Sequence, residues 1–279
     1  MTLDTVSGQT LIQEQVASIL VQPLEAASVV LASGPRIFDS SEPLKIPTLT
    51  GSTDPSWVAE NELIPDSEVT FGEINLMPSD RKSIKALTKF SNEMARQSNI
   101  GLDAVLKARI VKDVADKLDT ALLIGDGTLK TVTGITKQAG TQAAVLGATD
   151  ADSFLDALAL AAAAEVTPNR WLMSGADFFT IRKLKDTSGK YLLESDITTG
   201  TTYRLFGIPV TVTNKLAAGK AVLADMSQVA VVRDIAPSVT VLSERFAEYD
   251  QQAIRVVTRY DLGLLHPEGV VILTAAPVV

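Results

Sequence analysis

Apolar residues at Leu11, Ile12, Val16, Ile19 and Leu20 recur at the spacing of one helical face and predict helix over 10–32. Pro23 interrupts that face, so a kinked helix or two short ones is expected before the breaker Gly34-Pro35. From Pro43 the texture changes. Pro43, Pro47, Pro55, Pro65 and Pro78 punctuate the chain, with extended pieces at Leu44-Lys45-Ile46 and Val69-Thr70-Phe71 between turns at Asp54-Pro55 and Pro65-Asp66. Ile84, Ala86, Thr88 and Phe90 then alternate with Lys85, Leu87 and Lys89, the period of a strand. A stretch so rich in proline and so thin in large apolar residues cannot build its own core. It is expected to project as a long hairpin and to rest on something else.

The strongest helical signal follows. Leu102, Leu106, Ile110, Val114, Leu118 and Leu122 repeat every four residues, opposite Lys107, Arg109, Lys112, Asp113, Asp116 and Lys117. This amphipathic helix should stop at Gly125-Asp126-Gly127. Helices are predicted again over 153–165 and 177–184, and strands at Trp171-Leu172-Met173, 208–212 and 221–223. Alternation from Ile254 through Val256, Thr258, Tyr260 and Leu262 to Leu264 reads as one long strand, turning through His266-Pro267-Glu268-Gly269 into a strand over 270–274. No internal repeat or low-complexity tract is present. The class is α+β, with one dominant helix.

Composition narrows the chemistry. The chain has 279 residues, 46% of them hydrophobic and 21% charged, the balance of a folded chain and not of a disordered one. Its longest apolar run, Ala157 to Ala164, is too short to span a bilayer, and no basic-then-apolar signal segment opens the sequence. There is no cysteine, which excludes disulfides, thiolate metal sites and a cysteine nucleophile. The single histidine, His266, excludes any motif that needs two.

The net charge of −8 is unevenly distributed. Residues 46–80 hold Asp54, Glu60, Glu62, Asp66, Glu68, Glu73 and Asp80 and no base, while the chain beyond is close to balanced. Such acidity argues against a tight grip on nucleic acid, which needs clustered Lys and Arg. The acidic run is either a solvated face or a docking surface for bases. Trp57 sits within it. It is either an anchor for a neighbour or a cover for its own chain.

Catalytic signals are weak. Gly125-Asp126-Gly127-Thr128 suggests a phosphate loop, but position 130 is Lys130 and the preceding segment is helix where a strand is needed. Gly189-Lys190 lacks the rest of a P-loop, and no GxSxG elbow exists. His266 reads as a turn residue, since a general base needs a nucleophile and an orienting partner. Asp225, Asp234 and the acids of 54–73 could offer oxygen ligands, without the spacing of a calcium loop. No enzyme, cofactor or metal is expected.

The residues carry a resemblance. Trp57-Val58-Ala59-Glu60, Phe71-Gly72-Glu73-Ile74-Asn75-Leu76-Met77-Pro78 and Phe90-Ser91-Asn92-Glu93-Met94 come first, then 119–128 with Gly134-Ile135. Trp171-Leu172-Met173-Ser174, Leu184-Lys185-Asp186 with 189–192, and Phe206-Gly207-Ile208-Pro209-Val210 follow. In that order, over roughly residues 10 to 274, the chain resembles the major capsid proteins of tailed bacteriophages, whose fold encapsulin shells share. The resemblance implies an N-terminal arm (1–45), an extended loop lying across a neighbour (46–90), a peripheral domain (91–133 and 236–279) with a spine helix, and an axial domain (134–235). It implies a structural virion protein, assembled in the host bacterial cytoplasm. Pentamers and hexamers would form an icosahedral shell enclosing double-stranded DNA without sequence-specific binding. Separate scaffold, portal and decoration proteins are the implied partners, and no membrane.

Some members crosslink through a lysine of the extended loop and an asparagine of the peripheral domain. Here residues 46–81 contain no lysine and the last asparagine is Asn214, so a non-covalent shell is expected. The chain begins directly at the arm, so any scaffold is expected to be a separate protein. Inter-subunit contacts are expected at Trp57, Glu60, Glu62, Asp66, Glu68, Arg81, Lys82 and Lys85, with Lys89 and the spine-helix lysines as further bases for the acidic loop. An encapsulin-type shell and an unrelated α+β enzyme are the alternatives, separable by the DNA content and the mass of the particles.

Overall fold

The four-residue repeat that predicts the long helix is realised in α2 (Leu102–Ile124), where Ile110, Val114, Leu118 and Leu122 are buried while Arg109, Lys112, Asp113 and Lys117 face outward. The computed structural model describes residues 27–49, 57–61, 63, 70–77, 83–93, 102–128, 131–147, 151–184, 203–234, 238–242 and 244–275. The expectations for 10–26 and for Gly189-Lys190 lie outside them.

Against the buried stripe of α2 packs an antiparallel sheet in the order β11 (Ser238–Leu242), β12 (Gln251–Thr258), β4 (Ile84–Ser91). The period-two pattern sorts the faces of β4. Ile84 and Phe90 pack on the core that contains α2, Ile254 and Val256, whereas Lys85, Leu87 and Lys89 point to solvent. A second sheet pairs β1 (Arg36–Asp39) parallel to β10 (Val229–Arg233) and β10 antiparallel to β13 (Tyr260–Leu264). The third is six-stranded, in the order β5 (Gln142–Leu146), β14 (Val270–Ala275), β9 (Lys220–Ala224), β6 (Arg170–Met173), β8 (Ile208–Val212), β7 (Arg204–Leu205). Helices α3 (Asp152–Ala163) and α4 (Gly175–Arg182) cover it, with Phe154 edge-on to the fully buried Trp171 at 5.5 Å. Together with α1 (Val29–Ala32), the described residues hold four α-helices and several sheets, and the fold is α+β.

One expectation is corrected. The strand read from Ile254 to Leu264 is two strands in two sheets, broken at Arg259. The guanidinium of Arg259 donates to the buried Asp234 carboxylate (2.8 Å), and its carbonyl accepts from the Asp234 N–H (3.1 Å). This pairing sits where the chain passes from the central strand of one sheet to the edge strand of the next without disturbing the alternation. β14 pairs with both β5 and β9, so a strand from 236–279 joins the sheet built by 134–235.

Candidate assembly surfaces

An antiparallel pair is built from β2 (Leu44–Leu49) and β3 (Phe71–Leu76), in register from Leu44 opposite Leu76 to Leu49 opposite Phe71. Alternation puts Leu44, Ile46, Ile74 and Leu76 against Ala230, Val232, Phe38 and Leu265, which fastens the base of the hairpin to β10. The approach is so close that a Cβ on Gly263 of β13 would lie 2.5 Å from Leu76 Cδ2. Met77 leaves the strand with φ 54 and donates its N–H to Asp261 Oδ2 at 2.7 Å. On the outer face Lys45 pairs with Glu73 at 2.9 Å, both exposed, a contact worth at most about 1 kcal/mol.

Distal to this base the chain displays apolar side chains instead of burying them. Trp57 is fully exposed, Leu63 is 89% exposed and Phe71 75%. Glu60 is exposed beside Asn61, whose φ of 64 marks a turn. Trp57 therefore covers none of its own described chain. Lys85 projects from the outer face of β4, on a different sheet from the hairpin. Glu62, Asp66, Glu68, Arg81 and Lys82 lie outside the described residues. Trp57→Ala is expected to leave the melting curve of the free subunit within about 0.5 kcal/mol of wild type, as for an exposed site. The same variant should weaken subunit association by about 2 kcal/mol or more, the scale of a tryptophan anchor. Melting and sedimentation of the same preparation check both halves.

The start of α1 is tied down by a residue whose part was not read from the sequence. Asp119, almost completely buried on α2, accepts from Ser28 Oγ (2.6 Å), Val29 N (2.8 Å) and Val30 N (3.1 Å). Ser28 in turn caps α1 by accepting from Leu31 N at 3.2 Å. A carboxylate on the buried stripe, one turn from Ala115, was the available signal. Further along the same helix, the Lys215 ammonium holds the Asp116 carboxyl below its usual range through a 2.8 Å contact. Asp39 at the end of β1 is likewise held down by the Arg233 guanidinium, at 2.6 and 2.9 Å.

The Gly125-Asp126-Gly127-Thr128 segment is a strap and not a phosphate loop. Asp126 accepts from Thr131 Oγ1 (2.6 Å), Thr128 N (3.1 Å) and Thr128 Oγ1 (2.9 Å), which together hold its carboxyl at about 2. These donors are thus turned inward on the turn itself. A folded-state value below the ordinary 3.8 means the contribution is complete above that value and disappears as pH falls through about 2. Protection of the Thr128 amide should be constant from neutral pH down to about 4 and fall below it. An Asp126 carboxyl that titrates at its ordinary value by NMR would contradict this.

The remaining candidates form no reactive cluster among the described residues. His266 precedes the short 3₁₀ turn Pro267–Gly269, and its side chain makes no hydrogen bond there. Asp225 accepts from Asn169 and Ser227, and no group of three potential metal ligands occurs among the described residues. No helix among them is long and apolar enough to cross a membrane.

The geometry is thus that of surfaces and anchors. Against known proteins, residues 8–275 match the phage capsid family. The chain belongs to the phage capsid family. Among its relatives, the major capsid protein of Klebsiella oxytoca phage phiKO2 is 25% identical over 96% of this chain and 68% of its own length. The major capsid protein of Enterobacteria phage HK97 is 27% identical over 77% of this chain, which spans 56% of that protein. The fold agrees with that of the capsid of a native GTA particle, at a TM-score of 0.74, 17% identity and 89% and 90% coverage of the two chains. It agrees as well with a chain of Microbacterium phage Oxtober96, at a TM-score of 0.75, 17% identity and 89% and 91% coverage. This phage capsid family member is a structural protein.

Proposed function

We propose that this chain is the major subunit of an icosahedral phage shell, assembling as pentamers and hexamers around double-stranded DNA and held together without covalent crosslinks. The observation that carries the reading is the hairpin, anchored at its base and presenting Trp57 fully exposed from an acidic segment. A subunit designed to be complete alone would bury that surface. In this reading Asp119 fastens the arm at Ser28, Val29 and Val30, α2 and the β11–β12–β4 sheet belong to the peripheral region, and the six-stranded sheet that β14 joins belongs to the axial region. Relatives in the family are major capsid proteins, and one structural neighbour is a capsid computed with C5 symmetry. An acidic subunit suits a lining that encloses DNA without gripping it.

Purified particles test this twice. Nuclease-treated shells should retain protected double-stranded DNA. Their denaturing gel should show one band near 29.6 kDa. A high-mass ladder would overturn the non-covalent shell, and particles holding protein cargo with no DNA would overturn the phage reading.

A further inference from the structure

Asp126-Gly127 is the one Asp-Gly pair in the sequence, and no Asn-Gly pair occurs. An Asp-Gly pair is prone to rearrange its own backbone, because glycine leaves the following amide nitrogen open to the aspartate side chain. The Gly127 nitrogen attacks Asp126 Cγ. A carboxyl oxygen leaves as water, taking the amide proton and the carboxyl proton, and a five-membered succinimide closes. Water then adds to one of the two ring carbonyls. Addition at Cγ restores aspartate. Addition at the main-chain carbon breaks its bond to nitrogen and leaves the chain running through Cγ, an isoaspartate of unchanged mass. No other reactant takes part.

The fold both requires this pair and restrains it. Gly127 stands at a φ of +72, and a Cβ there would collide with Thr133 Oγ1, so no side chain is admitted. Asp126 faces Thr133 across an isolated antiparallel bridge, and its Oδ1 alone accepts from Thr128 N, Thr128 Oγ1 and Thr131 Oγ1. Those bonds favour the ionised carboxyl, whereas ring closure needs a protonated one with an oxygen ready to leave. A carboxyl at about 2 in place of 3.8 is protonated roughly fifty-fold less often at the same neutral pH. The attacking nitrogen is engaged as well, since Gly127 N donates to Val132 O at 3.3 Å. Asp126 is itself exposed, so water reaches the site for the second step.

We propose that Asp126-Gly127 is the covalent ageing site of this subunit, and that the Thr128 and Thr131 donors to Asp126 hold the rearrangement back. Isoaspartate would insert one extra main-chain atom between the end of α2 and the strap. That is the turn to which Gly134 N returns on Gly125 O and from which Ile135 enters the core. The chemistry is the same in a free subunit and in a shell, and so stands apart from the assembly reading.

Timed incubation of the full chain is the test. Folded wild type and wild type in concentrated urea are held at the same mildly acidic pH. Isoaspartate is then read in the tryptic peptide 118–130 by electron-transfer fragmentation, which marks the displaced main-chain carbon. The denatured chain is expected to accumulate isoaspartate at 126 ahead of its other aspartates. The folded chain should do so about ten-fold more slowly or less, as for chemistry that waits on local opening. Thr131→Val keeps the side-chain shape and removes its donor. Folded, it should age about five-fold faster than wild type, while the two chains age equally in urea. Thr128→Val repeats the test at an exposed position, and the wild-type comparison needs no variant. Folded wild type that ages as fast as the denatured chain overturns the restraint, as do folded variants that age no faster than wild type. A denatured chain that forms isoaspartate faster at Asp39-Ser40 or Asp152-Ser153 than at Asp126 overturns the assignment of the site.

Discussion

Asp119→Ala is expected to destabilise the subunit by about 3 kcal/mol or more, because three donors lose one charged acceptor, at about 1–3 kcal/mol for each buried donor left unsatisfied. The carboxylate is nearly inaccessible and takes three hydrogen bonds from the start of α1. Its loss leaves Ser28 Oγ and the Val30 amide buried, and the Val29 amide partly buried, without that acceptor, next to a fully buried Val30. Two-state melting should record a fall in Tm on the order of 10 °C for a chain of this size. Asp119→Asn keeps the shape and one acceptor oxygen and should fall between. Ser28→Ala removes both the cap and one of the three donors to the Asp119 carboxylate, and should cost about 2 kcal/mol. A change below about 1 kcal/mol for Asp119→Ala would mean that the arm is not held through this residue. The same variant should expose residues 27–33 to protease before the rest of the chain unfolds.

Gly134→Ala is expected to cost about 3 kcal/mol, the upper end for overpacking, because nothing near it can yield. A Cβ there would stand 2.6 Å from the Gly125 nitrogen and 2.7 Å from both the Ile124 nitrogen and the Leu123 carbonyl carbon, all backbone of the closing turn of α2. The strap returns to that turn through Gly134 N to Gly125 O at 2.9 Å and Thr136 Oγ1 to Leu123 O at 2.8 Å, and it carries the fully buried Ile135 into the core. Gly125 is equally constrained, since its Cβ would collide with the carbonyls of Val132 and Ala121. Gly207→Ala is the control. Its φ of +81 imposes left-handed strain of about 1–2 kcal/mol, but no atom stands within 4 Å. Chemical denaturation should therefore separate the two glycines. Equal losses would show that conformation, and not backbone contact, makes Gly134 necessary.

What was legible in the sequence depended on how strongly burial is expressed as periodicity. α2 and β4 each bury one face and expose the other, so spacing alone located both to within a residue or two. β10 was missed for the opposite reason: Val229 to Val232 are buried on both faces and show no alternation. β1 and β7 are too short to show a period, and β5, with Gln142 followed by two alanines, has too little contrast. The break at Arg259 was hidden because both strands keep the same alternation and only the distant Asp234 shows where the chain changes sheet. At the candidate surfaces, the acidity of 46–80 and the presence of Trp57 were readable directly. The hold of Asp119 on the arm was not, because its partner Ser28 lies ninety-one residues away.

The central claim is that this chain works by assembling. Light scattering after size exclusion on the chain expressed alone, with negative-stain images of the same fraction, tests it most directly. Discrete pentamers and hexamers or closed shells are the predicted result, and a homogeneous compact dimer that forms no larger particle would contradict it.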